Sequence, residues 1–110
     1  MKKKNRVRKS QEFQEIIHKG KKTADRHFVL YYVPKAEAEA RAGITLSKKI
    51  GNAVERNKIK RQVRMMCHEL IDFKSATKDI ILIVRFGYKD YSYADNKISL
   101  EKLLSKATIK

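Results

Sequence analysis

The chain has 110 residues, the length of a single domain, and 42% of them are hydrophobic, which allows one core and excludes a disordered basic tail. It carries 27 Lys and Arg against 12 Asp and Glu, a formal net charge of +15. Because self-repulsion at this charge costs folding stability, the composition predicts an anionic partner, with nucleic acid first and an anionic membrane surface second.

A basic arm and a short helix are predicted at the start of the chain. Met1 to Lys9 is basic and lacks periodicity, so we expect an irregular arm. Ser10 suits the N-cap of a helix whose apolar residues fall at helical spacing, namely Phe13, Ile16 and Ile17. Gly20 is expected at the C′ position that ends this helix.

Three segments have the composition of strands. Arg26 to Val33 is rich in aromatic and branched residues, and Pro34 closes it. Ala42 to Ser47 is predicted as the second strand. Asp79 to Phe86 is a continuous apolar run, which is typical of a buried strand. Whether Lys22 to Ala24 forms an extra short strand stays open.

Two more helices complete the predicted order. Asn52 to Leu70 is the clearest helix of the chain, and Tyr93 to Ala107 is predicted as the last one, with apolar residues Ile98, Leu100, Leu103 and Leu104. Lys35 to Ala40 and Gly87 to Ser92 are expected as surface loops. The order α-β-β-α-β-α predicts one α+β domain, an α/β sandwich with helices packed on a sheet.

The segment from Ser47 to Arg64, SKKIGNAVERNKIKRQVR, carries the strongest functional signal. At about 100° per residue, one side of its helix is apolar and is expected to dock on the sheet, with Ile59, Val63, Met66, Cys67 and Leu70. Another side forms a polar and mainly cationic row that could meet RNA phosphates, with Asn57, Lys60, Arg61, Arg64 and His68. An ordinary solvated helix face would interleave acids, and here only Glu55 interrupts the run before Glu69.

Single residues around this segment have more specific expectations. The amide of Asn57 could read a base edge, a ribose or a bound water, because it both donates and accepts hydrogen bonds. Gly51 is expected to serve the turn into the helix, and the backbone amides near Asn52 could meet an RNA oxygen. Cys67 is expected to be an inert core thiol.

The motif GNAVERNKIKR, preceded by SKK and followed by Arg64, resembles the signature of the bacterial ribonuclease P protein subunit. The likeness extends over nearly the whole chain, through RVRKSQEFQEI and KG, RHFVLYY and DIILIVR. The resemblance implies a ribosomal-protein-like domain with a left-handed β-α-β crossover, which the usual handedness rule would not predict.

The resemblance also implies a function. The protein would bind the catalytic RNA of ribonuclease P and the single-stranded 5′ leader of precursor tRNA, while the RNA performs the endonucleolytic cleavage. The RNA-binding positions that it implies are Arg56, Asn57, Lys58, Lys60, Arg61 and Arg64. The positions matching a leader-binding cleft between the sheet and the first helix are Phe13, Ile17, Tyr31, Ser47, Lys48, Lys49, Asn52 and Arg85.

Two positions depart from the family's pattern. The family often has an aromatic residue where Ile17 stands, so one stacking contact, about 1–3 kcal/mol per base where it occurs, would be lost there. Lys58 replaces a frequent Arg, which keeps the charge but gives up the planar guanidinium fork.

No catalytic residue is expected in the protein itself. There is no His–carboxylate or Ser–His arrangement for acid/base chemistry, and His18, His27 and His68 have no ligand spacing with Cys67. Magnesium is therefore expected on the partner RNA and its substrate.

The location follows from the cysteine content and the hydropathy. A single cysteine and the lack of a stretch of about 20 apolar residues indicate a cytoplasmic protein, with no membrane partner and no obligatory protein partner.

Two other functions stay open. A structural ribosomal or RNA-chaperone protein would share the charge and the type of fold but would not need an aromatic cleft. An autonomous nuclease would cleave without a catalytic RNA, and no pattern in the sequence supports it.

Overall fold

The computed structural model describes residues 1–109, which form a four-stranded sheet and three α-helices. The elements are α1 (Ser10–Lys19), β1 (Lys21–Ala24), β2 (Phe28–Pro34), β3 (Ala42–Leu46), α2 (Ala53–Leu70), β4 (Lys78–Val84) and α3 (Tyr93–Lys106). The predicted α+β class is confirmed, and the strand that the sequence left open is present as β1. No helix within residues 1–109 is both long and apolar enough to cross a bilayer.

The strands lie in the order β1-β2-β4-β3. β1 pairs with β2 and β2 pairs with β4 in antiparallel fashion, whereas β3 and β4 are parallel. Parallel neighbours need a crossover connection, and α2 supplies it. The β-α-β unit implied by the resemblance is thus present, and its left-handedness stays a prediction.

The two faces of the sheet are covered unequally. One face packs against α2 and α3, and its side chains form the main core, with Phe28, Leu30, Ile80, Leu82 and Val84 among the buried residues. The other face packs against α1 in a second, smaller cluster, whose buried members are Val7, Ile16 and Ile81. The central strand β4 therefore alternates between two apolar environments, which explains its continuous apolar run.

The N-terminal arm is more ordered than predicted. Lys3–Asn5 forms a 3-10 turn, and Arg6 forms an isolated parallel bridge with Ala42. Asn5 is buried and donates to Ala40 O at 3.0 Å, while Val7 is 4% exposed in the smaller core. These are single contacts without periodicity, so no pattern in the sequence predicts them.

Several predicted boundaries are wrong in detail. Ser10 is the first helical residue and Lys9 is the N-cap, with no side-chain cap. Gly20 is the C-cap in an extended conformation (φ −73°, ψ 155°), and glycine is needed there because a Cβ would collide with Ile16 O. Phe86–Asp90 forms a 3-10 turn inside the expected loop. Ile98 is 50% exposed, because the buried side of α3 is centred on Asn96, Ser99, Leu100, Leu103 and Leu104.

A buried ion pair joins α1, β3 and β4. Asp79 is 1% exposed and accepts from the Arg41 backbone N–H at 2.8 Å and from Arg41 Nη2 at 3.1 Å. Arg41 Nη1 donates to Glu12 at 2.7 Å, which ties the first helix to the sheet. Because Asp79 is almost completely removed from water, losing Arg41 would leave its carboxylate uncompensated, whereas losing Asp79 leaves Arg41 paired with Glu12.

We expect Asp79→Ala to lower the free energy of unfolding by about 1–3 kcal/mol, since the backbone N–H and Nη2 of Arg41 lose a buried acceptor while Glu12 still pairs the guanidinium. Urea titration followed by circular dichroism measures the change. The control is Glu69→Gln, which breaks the exposed Lys97 pair and should leave the midpoint unchanged. Equal midpoints for the two variants would contradict the assignment.

Candidate nucleic-acid interface

A tight turn sets the start of α2. Asn52 is the N-cap, and its side chain accepts from Glu55 N at 3.0 Å. Gly51 has φ +45°, in the left-handed region, and a Cβ there would come within 2.8–2.9 Å of the Glu55 side chain. The role predicted for Gly51 is confirmed, and the turn is what carries the chain from β3 into the helix.

The two predicted sides of α2 are both present. Ile59, Val63, Met66 and Cys67 are buried against the sheet, and Leu70 is partly buried beside them. Burial raises the pKa of the Cys67 thiol to about 12, as expected for an inert core cysteine. The opposite side faces outward, with Asn57, Arg61 and His68 exposed and Lys60 and Arg64 partly exposed.

The acidic residues of α2 do not neutralise the cations on its outer side, because each of them is paired with a lysine outside the row. Glu55 binds Lys89 at 2.8 Å and Glu69 binds Lys97 at 2.7 Å. The bonds to these lysines hold the pKa of both carboxyl groups below the usual value. We call Lys60, Arg61 and Arg64 the α2 cationic row. Within residues 1–109, none of the three takes part in an ion pair.

Arg56 has a different role from the other predicted RNA-binding positions of α2. Its Nη1 donates to Ser47 O at 3.0 Å and to Ile50 O at 3.2 Å, and its side chain is partly buried. Arg56 therefore stabilises the turn between β3 and α2. The exposed Lys48 and Lys49 lie within this turn. Lys58 is exposed on the flank of α2 that faces Tyr88 and Lys89, away from the α2 cationic row.

The residues predicted for an aromatic cleft lie together beside α1, on one face of the sheet. Phe13, Ile17 and Tyr31 are partly exposed and pack on the smaller core. The Phe13 ring lies against Gly43, where a Cβ would come within 2.6 Å of both Phe13 Cζ and Ile81 Cδ1. Glycine at this position lets the ring approach the backbone of β3.

The same face of the sheet continues beyond α1 without a helix over it, and we call this uncovered part the floor. The register places Val29 and Thr45 on either side of Ile83, and all three are only partly buried. Lys22 pairs with Tyr31 and adds an exposed cation at the edge of the floor. These residues were not predicted, because strand alternation shows which residues share a face only once the strand pairing is known.

The floor leads toward the turn before α2. Ser47 N donates to Val84 O at 3.0 Å, so the end of β3 lies beside the end of β4. Arg85 follows there, exposed, and its Nη1 donates to Asp25 O at 2.7 Å. One set of predicted residues thus lines a continuous path from α1 to the start of α2, while Arg85 also ties the β1–β2 hairpin to the end of β4.

The comparisons with known proteins decide the family. The family model described as ribonuclease P matches residues 1–108. The chain belongs to the ribonuclease P protein family. Among its relatives, the ribonuclease P protein component of Bacillus cereus strain AH187 is 43% identical over 111 residues, covering 100% of this chain and 96% of that protein.

Solved ribonuclease P proteins share the fold as well. A Staphylococcus aureus RNase P protein is 40% identical with a TM-score of 0.84, covering 96% of each chain. The RNase P protein of Thermotoga maritima is 27% identical with a TM-score of 0.78, covering 92% of this chain and 96% of that one. The resemblance carried by GNAVERNKIKR is therefore confirmed at the level of the family and the fold.

The described residues do not form a metal-binding cluster. Within residues 1–109, no group of three or more His, Cys, Asp and Glu side chains is placed to hold a metal ion.

We expect Arg56→Ala to lower the free energy of unfolding by roughly 1–3 kcal/mol, because two backbone carbonyls lose a charged donor. Arg61→Ala is the matched control: it removes the same group from the same helix, but Arg61 is exposed and unpaired within the described part of the chain, so its urea midpoint should not move. Equal destabilisation of both variants would show that Arg56 has no special role in the turn.

Proposed function

We propose that this protein is the accessory subunit of a ribonuclease P holoenzyme. It binds the catalytic RNA through the α2 cationic row and the 5′ leader of precursor tRNA through the cleft beside α1. It thereby assists the endonucleolytic cut that leaves the mature 5′ end. The observation that supports this most directly is that Arg64 of the unpaired cationic row and Phe13 of the partly exposed aromatic cluster both lie beside Gly43 of β3, in a member of this family.

The α2 cationic row suits a folded RNA backbone. Lys60, Arg61 and Arg64 recur at helical spacing, so successive cations can meet successive phosphates, and each contact releases counterions. The guanidinium groups add bidentate geometry. Asn57 is exposed amid them, and its amide can donate to and accept from a base edge or a ribose hydroxyl.

The cleft suits a single strand. A base can stack on the exposed part of Phe13 or Tyr31, while Ile17 offers only apolar contact. Lys48, Lys49 and Arg85 lie toward the far end of the floor, where the backbone phosphates of the strand would need cations. Ser47 and Asn52 complete this set at the turn.

The protein contributes binding and orientation rather than the reacting groups. Magnesium bound by the RNA and the substrate would activate the water that attacks the phosphodiester. This assignment is supported by the lack of clustered carboxylates within residues 1–109. A cytoplasmic location and the absence of an obligatory protein partner stay predictions.

A second candidate function is favoured by one relative. A solved Staphylococcus aureus RNase P protein, 40% identical with a TM-score of 0.88 and covering 98% of this chain, is described as a mutant with defective mRNA degradation activity. This description attributes mRNA degradation to that protein, so degradation of messenger RNA by this chain is the second candidate. A structural ribosomal or RNA-chaperone role would need neither kind of cleavage.

Reconstitution tests these candidates together. We expect the protein to stimulate precursor tRNA cleavage by the catalytic RNA at low magnesium, where RNA alone is slow because phosphate repulsion is poorly screened. Product length on a denaturing gel gives the rate and the site of the cut. A parallel reaction with protein, messenger RNA and no catalytic RNA tests the second candidate. No stimulation in the first reaction would overturn the proposed function.

Leader binding is tested by variants that remove an aromatic ring but leave an apolar side chain in its place. We expect Phe13→Leu and Tyr31→Leu each to weaken holoenzyme binding of precursor tRNA by about 1–3 kcal/mol, the worth of one stacked base, with mature tRNA unaffected. Tyr93→Leu is the control, because Tyr93 is partly buried on the other side of the sheet. Equal losses of affinity for precursor and mature tRNA would contradict the proposal that the leader binds in the cleft.

A further inference from the structure

The outer edge of β3 is only partly covered. β3 is the last strand of the sheet, and the N-terminal arm pairs with it at a single position, where Val7 N donates to Ala42 O at 3.1 Å. An uncovered strand edge presents backbone N–H and C=O groups that need partners. The edge beyond Ala42 is therefore available to a ligand.

The pairing with β4 defines which amides face this edge. Arg41 O accepts from Ile80 N at 2.9 Å, and Ser47 N donates to Val84 O at 3.0 Å. In a parallel ladder, alternate residues bond to the same neighbour, so Gly43 and Thr45 also bond to β4. The N–H groups of Ile44 and Leu46 point outward.

Three arginines converge on a cavity at this edge. The cavity has a volume of about 230 Å³ and is lined by Met1, Arg6, Val7, Arg8, Ala42, Gly43, Ile44 and Arg64. Arg6 and Arg8 come from the arm, and Arg64 comes from α2. No carboxylate lines the cavity, and none of these arginines takes part in an ion pair within residues 1–109.

Arg6 lacks part of its hydrogen bonding. Its Nη2 donates to Met1 O at 3.2 Å, but its Nε is buried and has no partner among the described residues. A buried unsatisfied donor is costly, and nearly all such groups in proteins find a partner. A group with several acceptor oxygens and negative charge would satisfy Nε and neutralise the three guanidinium groups at once.

We propose that this β3-edge pocket, formed by Arg6, Arg8, Arg64 and the Ile44 amide, binds a phosphate group of an RNA backbone. The choice of RNA rests on the proposed function, because Arg64 also belongs to the α2 cationic row. RNA lying on α2 would thereby extend over the edge of the sheet and hold the N-terminal arm in place. The arm becomes part of the interface rather than a loose cationic tail.

The anion site is tested on the free protein with inorganic phosphate. At constant ionic strength, we expect saturable NMR shifts of the Arg6 Nε–H and the Ile44 amide. Arg8 makes no hydrogen bond within residues 1–109, so Arg8→Gln preserves the fold and should weaken phosphate binding about tenfold, the loss of one charge-assisted contact. Lys3→Gln, on the same arm but outside the pocket, should bind as the wild type does. Non-saturating shifts, or equal weakening in both variants, would overturn the site.

The source of the phosphate is tested with the catalytic RNA. Arg8→Gln should lower the slope of log affinity against log salt by about one, as expected for one lost phosphate contact, relative to Lys3→Gln. Saturable phosphate binding with unchanged RNA slopes would make the pocket a site for free anions and overturn the RNA assignment. If the phosphate site holds while reconstitution gives no stimulation, only the proposed function fails.

Discussion

The docking of α2 on the sheet is the contact on which the rest of the molecule depends. Ile59, Val63, Met66 and Cys67 are buried against the strands, so the rotation of the helix about its axis is set by apolar burial. The α2 cationic row is then forced to face outward, because it lies on another side of the same helix. The helix is also the crossover between β3 and β4, so it determines the parallel pairing of those strands.

Unequal coverage of the sheet creates the second half of the interface. α2 and α3 close one face, whereas the ten-residue α1 covers only part of the other. A longer α1, or a side chain at Gly43 that pushed Phe13 away, would close the floor or misplace the ring. The Arg41–Asp79 pair and the Glu12 contact hold α1 at this position. Buried polar bonding in the fold thus holds α1, and with it Phe13, in place over the sheet.

The sequence predicted features that depend on local periodicity and missed those that depend on distant pairing. The two sides of α2 follow from a period of 3.6 residues, and the turn at Gly51 follows from glycine chemistry. The order β1-β2-β4-β3 is non-local, so Lys22, Val29 and Thr45 could not be assigned to the cleft in advance. The charge and helical spacing of α2 predicted its phosphate contacts, whereas the leader-binding role came from the family resemblance.

The arginines of this protein fall into two groups, according to whether their guanidinium groups already have a hydrogen-bond or ion-pair partner within the fold. Arg41 is bound to carboxylates, while Arg56 and Arg85 donate to backbone carbonyls, so each of these stabilises a particular turn or pairing. Arg61 and Arg64 have no such partner within residues 1–109. A count of charges treats both groups alike, although only unpaired cations can neutralise an incoming phosphate without first breaking a bond in the fold. The net charge of +15 therefore describes the attraction of the whole molecule for RNA, whereas an unpaired cation such as Arg61 or Arg64 can meet a phosphate at no cost to the fold.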